Sequence, residues 1–485
     1  MTDGTCTRTA VVEARQIAHS TAPREAVEAA VRAYFASGRG ASQLAAVAAR
    51  AARTSAAEDD IEETLVCGRD VTDAFLAEHT VCLRLSVPCS GSVTSSSAVS
   101  IEGIWGIEDD EDDEEAKEED KEDKDVVQVG TVAVYRAVEG EGEDDDWGSV
   151  NSSEGGGETT GSPAFSAWEL PSARLDGLWE SLEYGGGVKR ALLGLVGAGL
   201  GLGARGVDRQ LVAWNGLVLL HGPPGTGKTS AGQALAQKLA VRLCAAGAFA
   251  RAELLVVNAH SLFSRWFSES GRLVAQTFAR VREIADDART LVVVLVDEVE
   301  SLSASRARAV RAGTEPADAV RAVNALLTQL DLLRARPNVL TVATSNITAA
   351  VDAAFLDRAD LALRVPLPAP RARARILRSA LNELRRIEVI SGDWDKGARA
   401  ALAEAAGDAS ARLSGRTLRK LPLLTLARCG SGSAASPIPL TAFINALART
   451  AVTVRRQQQR LHHDDGFEKD DDVVDEVEGA WCDVL

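Results

Sequence analysis

Aromatic residues are scarce in this chain: Phe, Trp and Tyr together make up 4% of its 485 residues, and there is one Met. Hydrophobic residues nevertheless make up 46% of the sequence, so aliphatic side chains must fill most of a buried core. That hydrophobic fraction, with 25% charged residues, is ordinary for a globular protein. At roughly 150 residues per domain, the length predicts about three domains.

The seven cysteines lack a pairing pattern, because their number is odd and no two of them have CxxC spacing. They therefore indicate neither a disulfide framework nor a zinc site. The N-terminus lacks the apolar core of a secretory signal. The longest apolar stretch, residues 191–204, is interrupted by glycine and is too short to span a bilayer. We therefore expect an intracellular protein in a reducing compartment, without a membrane partner.

Negative charge is concentrated in two segments. Residues 108–125, within an acidic insert over residues 106–125, carry a net charge of −11, and residues 139–146 carry −6. These segments account for the whole net charge of −17, so the remainder of the chain is balanced. Like-charge blocks of this kind are usually solvated, and they repel nucleic-acid phosphates. We expect no direct nucleic-acid binding.

The chain is predicted to begin with a small mixed domain over residues 1–138. Residues 24–36 have helical spacing of apolar side chains, and residues 80–88 and 126–137 alternate as strands do. Because a strand is predicted on each side of the acidic insert, we expect the insert to interrupt one folded unit. Residues 139–165, rich in Gly, Ser and acids, are typical of a disordered linker.

Beyond the linker, short apolar runs alternate with helical stretches, which predicts a mostly parallel sheet with helices on both faces over residues 166–368. The apolar runs are residues 217–221, 253–258, 291–297, 339–345 and 361–366. From residue 369 to 455 the pattern is almost wholly helical, and residues 456–485 form an acidic tail. The predicted fold class is α/β, with a helical subdomain after the sheet and a small α+β domain before it.

The strongest motif is GPPGTGKT, residues 222–229, which has the GxxxxGK[ST] pattern between an apolar strand and a helix. Glycines let backbone N–H groups close around phosphates, and the following helix N-terminus adds its dipole. Lys228 is predicted to contact the β- and γ-phosphates of ATP, and the Thr229 hydroxyl to bind Mg²⁺. The predicted ATP-binding set is Gly222, Pro223, Pro224, Gly225, Thr226, Gly227, Lys228, Thr229 and Ser230. The alternative is a Gly/Pro-rich turn without a ligand.

Two further strands end in polar residues. Asp297 and Glu298 stand at the end of one apolar run, where the aspartate can hold Mg²⁺ and the glutamate can deprotonate a water. An acidic pair in this place can also cap a helix. Asn346 follows the next run, and since parallel strands point their C-terminal ends at the ligand, it can reach the attacking water or the γ-phosphate. The alternative is an asparagine in a turn.

These features together resemble an AAA+ ATPase, and several further stretches of sequence make the resemblance specific to one family of these ATPases. They are SLFSRWFSESG (261–271), VDEVES (296–301), RAGTEP (311–316), NALLTQLD (324–331), TSNIT (344–348) and SGRTLRKLP (414–422). They are similar to the pachytene checkpoint AAA+ ATPases, also known as thyroid receptor-interacting protein homologues, and the likeness runs from about residue 168 to 451. It implies a large α/β AAA+ subdomain over residues 166–368 and a helical lid over residues 369–455.

The resemblance also implies a function. Members of this family form a ring homohexamer that hydrolyses ATP with Mg²⁺ and converts HORMA-domain proteins from the closed to the open form, in the spindle checkpoint, on the meiotic chromosome axis, or in both. A HORMA-like adapter helps to present the checkpoint substrate, and residues 1–138 would recognise substrate and adapter. The resemblance further implies residence in the nucleus, on chromosomes in meiosis, and in the cytoplasm.

The family's roles fall on matching residues of this chain. Trp266 and Phe267 match the first pore loop, which grips the substrate chain, although a Trp can also pack under its own loop. Arg358 matches the arginine finger that acts on the neighbouring subunit's ATP, and its alternative is a surface ion pair with Asp357 or Asp360. The usual pattern has two arginines here, whereas this chain has one.

Further arginines match positions in the lid and at the ring interface. Arg416 matches the second sensor, which couples the lid angle to the γ-phosphate. Arg321 matches a position at the subunit interface. Arg306, Arg308 and Arg311 fall in the region of a second pore loop, and a solvated basic loop is the alternative for these three.

Two other functional classes are open at this point. A nucleotide-gated assembly scaffold can dispense with Glu298, so the presence of this glutamate favours a motor, acting on a HORMA protein or on another client. A DNA-directed AAA+ protein such as a clamp loader needs a basic track, and the acidic segments argue against one.

Overall fold

The computed structural model describes residues 7–18, 20–36, 38–51, 61–67, 69–71, 73–87, 126–138, 165–185, 187–208, 211–259, 270–300, 317–346, 353–429 and 437–464. The acidic segment 108–125 and the greater part of the predicted linker lie outside these residues. The chain divides into two compact units. The first comprises residues 1–182, 186–222 and 228–364, and the second comprises residues 183–185, 223–227 and 365–485.

The first unit begins with a four-stranded sheet and its helices. The elements are β1 (Thr7–Gln16), α1 (Arg24–Ala36), α2 (Gly38–Ala51), β2 (Ile61–Val66), α3 (Ala74–His79), β3 (Thr80–Val87) and β4 (Val126–Tyr135). The strand order is β2-β3-β1-β4, in which β1 pairs antiparallel with β3 and parallel with β4. Strands from both sides of the acidic insert therefore lie in one sheet. Helix α1 buries Val27, Val31 and Phe35 against it, as their helical spacing predicted.

A six-stranded sheet follows in the same unit. Its strands are β5 (Phe165–Leu170), β6 (Leu217–His221), β7 (Arg251–Asn258), β8 (Thr290–Asp297), β9 (Val339–Ser345) and β10 (Leu361–Arg364). The order is β10-β6-β9-β8-β7-β5, and every neighbouring pair is parallel except β5 with β7. The prediction of a mostly parallel sheet is thus confirmed. The antiparallel edge strand β5 was not predicted.

Helices cover both faces of this sheet. The helices of this part of the chain are α4 (Leu178–Ser181), α5 (Val188–Ala204), α6 (Lys228–Ala245), α7 (Ser270–Ala285), α8 (Ala317–Leu333) and α9 (Ala353–Leu356), of which α6 lies on one face and α7 and α8 on the other. Phe278 of α7 and Leu326 of α8 share a core with Val294 on one face. On the other face α6 lies so close that a Cβ added to Gly232 would be 2.7 Å from Leu295 Cδ1. Among the helices of the described residues, none is long and apolar enough to cross a membrane.

Helix α6 is joined to the N-terminal sheet by buried charges. Lys238 Nζ lies 2.9 Å from Glu13 Oε2 of β1 and 2.9 Å from Glu180 Oε1 of α4. Arg242 Nε donates to Glu13 Oε1 at 2.9 Å. Burial raises the pKa of Glu180, but the positive charges of Lys238 and Arg84 outweigh burial and lower this pKa to about 2. The Glu180 carboxylate is therefore held in its charged form by these two cations.

The same cluster continues through Arg84 of β3. Its guanidinium lies 2.7 Å from Asp176 Oδ1, and its Nε lies 3.6 Å from Glu180 Oε2. Tyr135 of β4 donates its hydroxyl proton to Asp176 Oδ1 at 3.0 Å, and burial raises the pKa of this tyrosine. Arg15 of β1 forms an ion pair with the other oxygen of Asp176. Because cations and carboxylates alternate, each carboxylate of the cluster has a cation beside it, as burial of charge requires.

Where the structure describes it, the second unit is helical apart from one short pair of parallel strands. Its elements are α10 (Pro370–Arg386), β11 (Ile390–Ser391), α11 (Lys396–Glu404), a π-helical turn (Ala405–Ala409), α12 (Gly415–Arg428), β12 (Ile438–Pro439) and α13 (Leu440–Asp464). Its core contains Leu377 of α10, Leu418 of α12 and Phe443 of α13. Pro370 stands at the start of α10, where its missing N–H has no intrahelical acceptor to lose. Helix α13 continues to Asp464, into the segment predicted as the acidic tail.

Candidate active site

The phosphate loop connects β6 to α6, as its motif predicted. Gly225 has φ +75° and Gly227 has φ +94°, a backbone conformation that residues with a Cβ rarely adopt. A Cβ on Gly225 would also lie 2.7 Å from Ser414 Oγ at the start of α12. The carbonyl oxygen of Gly225 accepts a hydrogen bond from the backbone N–H of Arg416 at 3.0 Å. Glycine is therefore required here by both conformation and space.

Three side chains hold this loop in shape. Lys228 is 5% exposed, and its Nζ donates to the carbonyl oxygen of Gly222 at 2.9 Å, which keeps the ammonium group beside the loop. Thr226 Oγ1 donates to the carbonyl oxygen of Pro223 at 3.0 Å. In the second unit, Tyr184 donates its hydroxyl proton to the carbonyl oxygen of Gly227 at 2.9 Å. Sequence reasoning missed Tyr184, because it lies far from the loop in the chain and belongs to no motif.

Beside the loop, two threonine hydroxyls converge on Asp297. Thr229 Oγ1 donates to Asp297 Oδ1 at 2.8 Å, and Thr344 Oγ1 donates to the same oxygen. The structure thus brings together Thr229 and Asp297, the two predicted Mg²⁺ ligands, although they are separated by 68 positions in the chain. A hydroxyl and a carboxylate are hard oxygen ligands of the kind that Mg²⁺ prefers, so this pair fits the ion.

Thr344 also positions the predicted base, Glu298. Thr344 Oγ1 accepts a hydrogen bond from the Glu298 N–H at 3.2 Å, and the carbonyl oxygen of Thr344 accepts one from the Val299 N–H at 3.0 Å. Glu298 has φ +59°, an uncommon backbone conformation for a residue with a side chain. Such conformations cost of order 1–3 kcal/mol and cluster at active sites. Thr344 belongs to the stretch TSNIT that resembles the family, but its role depends on the adjacency of β8 and β9 and was not predicted.

Asn346 lies directly after β9, next to Glu300. Its Nδ2 donates to Glu300 Oε1 at 2.9 Å, and Glu300 is 9% exposed. The structure therefore places the predicted Asn346 at the C-terminal edge of the sheet, where Asp297 and Glu298 also lie. Glu300 was not singled out from the sequence, because a third acidic residue in the stretch VDEVES carried no signal of its own.

Arg358, the predicted arginine finger, and Arg416, the predicted sensor in the lid, have different hydrogen-bond partners. Arg358 donates from Nε and Nη2 to the two carboxylate oxygens of Asp331 at 2.9 and 3.0 Å, and this hydrogen bonding raises the pKa of Arg358. Its ion-pair partner is thus Asp331, whereas Asp360 accepts hydrogen bonds from the backbone N–H groups of Asn215 and Leu217. Arg416 begins α12, and its backbone, as given above, binds the phosphate loop. The roles of both arginines toward the γ-phosphate stay predictions.

Several predicted residues cannot be placed in this site. Trp266, Phe267, Arg306, Arg308 and Arg311 lie outside the described residues. Arg321 lies on α8, and its interface role stays a prediction.

Comparison with known proteins places the chain in a family. The sequence model of the ATPase family associated with various cellular activities (AAA) matches residues 218–367. The pachytene checkpoint protein 2 homologue of Oryza sativa subsp. indica is 45% identical over 314 residues, which cover 59% of this chain and 65% of that relative. The homologue of Danio rerio is 42% identical over 315 residues, which cover 61% of this chain and 72% of that relative.

A solved structure agrees with these sequence matches. The structure of C. elegans PCH-2 has a TM-score of 0.63 and 27% sequence identity to this chain, and the match covers 93% of this chain and 100% of that one. The match to the rice relative spans slightly less than two thirds of that protein's length, at 65%. The predicted family and AAA+ fold are confirmed: the chain belongs to the pachytene checkpoint protein 2 family of AAA ATPases.

Proposed function

We propose that this protein hydrolyses ATP and uses the energy to remodel another protein. ATP hydrolysis is supported by the convergence of the Thr229 and Thr344 hydroxyls on Asp297. Glu298, the next residue, is held by a hydrogen bond from its backbone N–H to Thr344. Phosphoryl transfer depends on positioning and on charge stabilisation, and this edge of the sheet supplies groups for both.

Each residue has a role in the proposed hydrolysis. The N–H groups of the phosphate loop and the ammonium of Lys228 bind the phosphates. Thr229 and Asp297 would hold Mg²⁺, which when bound neutralises charge on the β- and γ-phosphates. Glu298 accepts a proton from the attacking water, and Asn346 orients that water.

Two arginines complete the proposed site. Arg358 of one subunit stabilises the charge that develops on the γ-phosphate held by the next subunit, for which it must leave or share its bond to Asp331. Arg416 senses the γ-phosphate from the lid. Both roles follow from the family resemblance and presuppose the ring homohexamer that it implies.

The proposed client is a HORMA-domain protein, converted from the closed to the open form with the help of a HORMA-like adapter. Membership of the pachytene checkpoint protein 2 family supports this choice. Trp266 and Phe267 would grip an extended segment of the client in the ring's pore, and residues 1–138 would recognise client and adapter. The proposed site of action is the nucleus, on chromosomes in meiosis, with a cytoplasmic pool.

The ATPase half is tested by Glu298→Gln. Removal of a general base typically costs 10²–10⁴ in rate, so we expect turnover at least 100-fold below wild type with ATP affinity unchanged. The matched control is Glu404→Gln, which alters an exposed glutamate of α11 and should leave turnover unchanged. ATP turnover by the Glu298 variant at the wild-type rate would contradict the assigned base.

The same variant separates the motor from an assembly scaffold. A motor whose hydrolysis is blocked should hold ATP and retain its client as a stable complex. A nucleotide-gated scaffold would assemble and release partners as wild type does, since its work needs no hydrolysis. A motor with a different client would show the full effect on turnover but no retention of a HORMA protein.

A further inference from the structure

We propose that Glu300 is a positioning residue for hydrolysis, which fixes the amide of Asn346 so that its oxygen faces the attacking water. The inference rests on the proposed ATPase activity, in which Glu300 had no role. The burial of the Glu300 side chain is not explained by stability.

Glu300 is 9% exposed, and its Oε2 has no hydrogen-bond partner among the described residues. Its Oε1 accepts the hydrogen bond from Asn346 Nδ2 at 2.9 Å. A buried carboxylate with one oxygen left without a partner is costly, because that oxygen loses its hydration. Such groups in native structures call for an explanation, and a role at a reaction site is one of the recognised ones.

The bond between these two residues fixes the orientation of the amide. An ionised carboxylate only accepts hydrogen bonds, whereas the amide of asparagine donates through Nδ2 and accepts through Oδ1. Glu300 therefore selects the orientation in which Nδ2 points toward it. Oδ1, the accepting end, is directed away from Glu300 and is available to a hydrogen-bond donor.

The position of this bond in the site gives the orientation a purpose. Thr344 ties β9 to Asp297, to the Glu298 N–H and to the Val299 N–H. The hydrogen bond between Asn346 and Glu300 continues this series of contacts. Asn346 is two residues after Thr344 in the chain, and Glu300 is the residue after Val299. This hydrogen bond joins a residue just after β8 to a residue just after β9, so Asn346 and Glu298 lie at the same edge of the sheet.

The chemistry of the attacking water requires an acceptor at this place. The water oxygen forms a bond to the γ-phosphorus while the bond from that phosphorus to the β–γ bridging oxygen breaks, and one water proton passes to Glu298. The second water hydrogen needs an acceptor, so that the lone pair remains directed at phosphorus. Asn346 Oδ1 is that acceptor, whereas a flipped amide would present N–H groups and engage the lone pair instead.

Two substitutions at one position separate this role from a structural one. Glu300→Gln keeps an accepting oxygen for Asn346, and Glu300→Leu removes it while keeping the bulk apolar. We expect turnover within about threefold of wild type for the first and ~10–100-fold lower for the second, the effect of losing one orienting hydrogen bond. The affinity for ATP should be unchanged in both variants, so that the loss falls on kcat.

A donor–acceptor exchange provides the decisive comparison, and it serves even where the leucine variant fails to fold. Asn346→Asp puts a second carboxylate against Glu300 and should lower turnover at least 10-fold. Adding Glu300→Gln should recover much of that loss, because the new amide at position 300 can donate to the new carboxylate at position 346. The other oxygen at position 346 then accepts from water as before.

The outcomes are distinct. Recovery in the double variant, with thermal stability equal across the set, is the expected result. Wild-type turnover in Glu300→Leu, or no recovery in the double variant, would overturn the positioning role and leave the ATPase standing. Binding of ATP without turnover in the wild-type protein itself would overturn the proposed activity, and the role of Glu300 with it.

Discussion

Replacement of Lys238 by methionine should destabilise the first unit, which contains the four-stranded and the six-stranded sheets. The ammonium of Lys238 lies 2.9 Å from a carboxylate oxygen of Glu13 and 2.9 Å from one of Glu180, and its side chain is 4% exposed. Methionine fills similar volume but leaves both carboxylates without this cation. Removing one partner of a buried ion pair typically costs about 3–5 kcal/mol, since it leaves an uncompensated buried charge. Arg242 and Arg84 remain nearby, so we expect the lower end of that range.

Differential scanning calorimetry measures the effect. At about 1.3 °C per kcal/mol for a unit of this size, a loss of about 3 kcal/mol should lower the transition by about 4 °C. The control is Arg386→Met, which breaks an exposed pair with Glu383 on α10, whose side chains are 66% and 58% exposed. Exposed pairs contribute about 0–1 kcal/mol, so the control should shift the transition little. Equal shifts in the two variants would refute the reasoning that burial decides the contribution of an ion pair here.

The remaining predictions concern the phosphate loop and acid stability. Gly225→Ala should weaken ATP binding at least 10-fold in a fluorescent-nucleotide titration, because its Cβ would meet Ser414; Gly247→Ala, with the same φ of +75° and open space around it, is the control. The pKa of Glu180 is about 2 in the fold, below the ordinary 4.5, so its contribution to stability is present above about pH 4.5 and lost as pH falls toward 2. Glu180→Gln should therefore flatten the decline of the melting temperature between pH 5 and pH 3.

The central sheet was predictable because its strands β6, β8 and β9 are buried on both faces. Strand β8 has seven fully buried residues before Asp297, and such runs read as parallel strands without knowledge of their neighbours. Strand β5 has no such pattern, because it lies at the edge, pairs antiparallel with β7 and follows a Gly/Ser-rich segment. Its partner is more than 80 residues away in the chain, and only the fold brings them together.

The residues of the candidate site also include some that the sequence could predict and some that it could not. The phosphate loop and Asp297 are defined by local motifs, so they could be predicted residue by residue. Thr344 and Glu300 act through contacts between neighbouring strands, which depend on the order β9-β8 in the sheet. Lys238 has the appearance of a surface residue on a helix, and its carboxylate partner Glu13 stands 225 positions earlier. Burial of this kind is not visible in a single sequence.

The central claim is that ATP hydrolysis at this site drives the opening of a HORMA-domain protein. The most direct measurement follows conversion of a closed HORMA substrate to its open form, in the presence of its adapter and ATP. We compare wild type with Trp266→Ala in the proposed pore loop and with Trp394→Ala, which alters a tryptophan of the second unit bonded to Asn382.

The account predicts ATP-dependent opening by wild type and by the Trp394 variant, and none by the Trp266 variant, with ATP turnover preserved in all three. ATP turnover by wild type without opening of the substrate would contradict the claim.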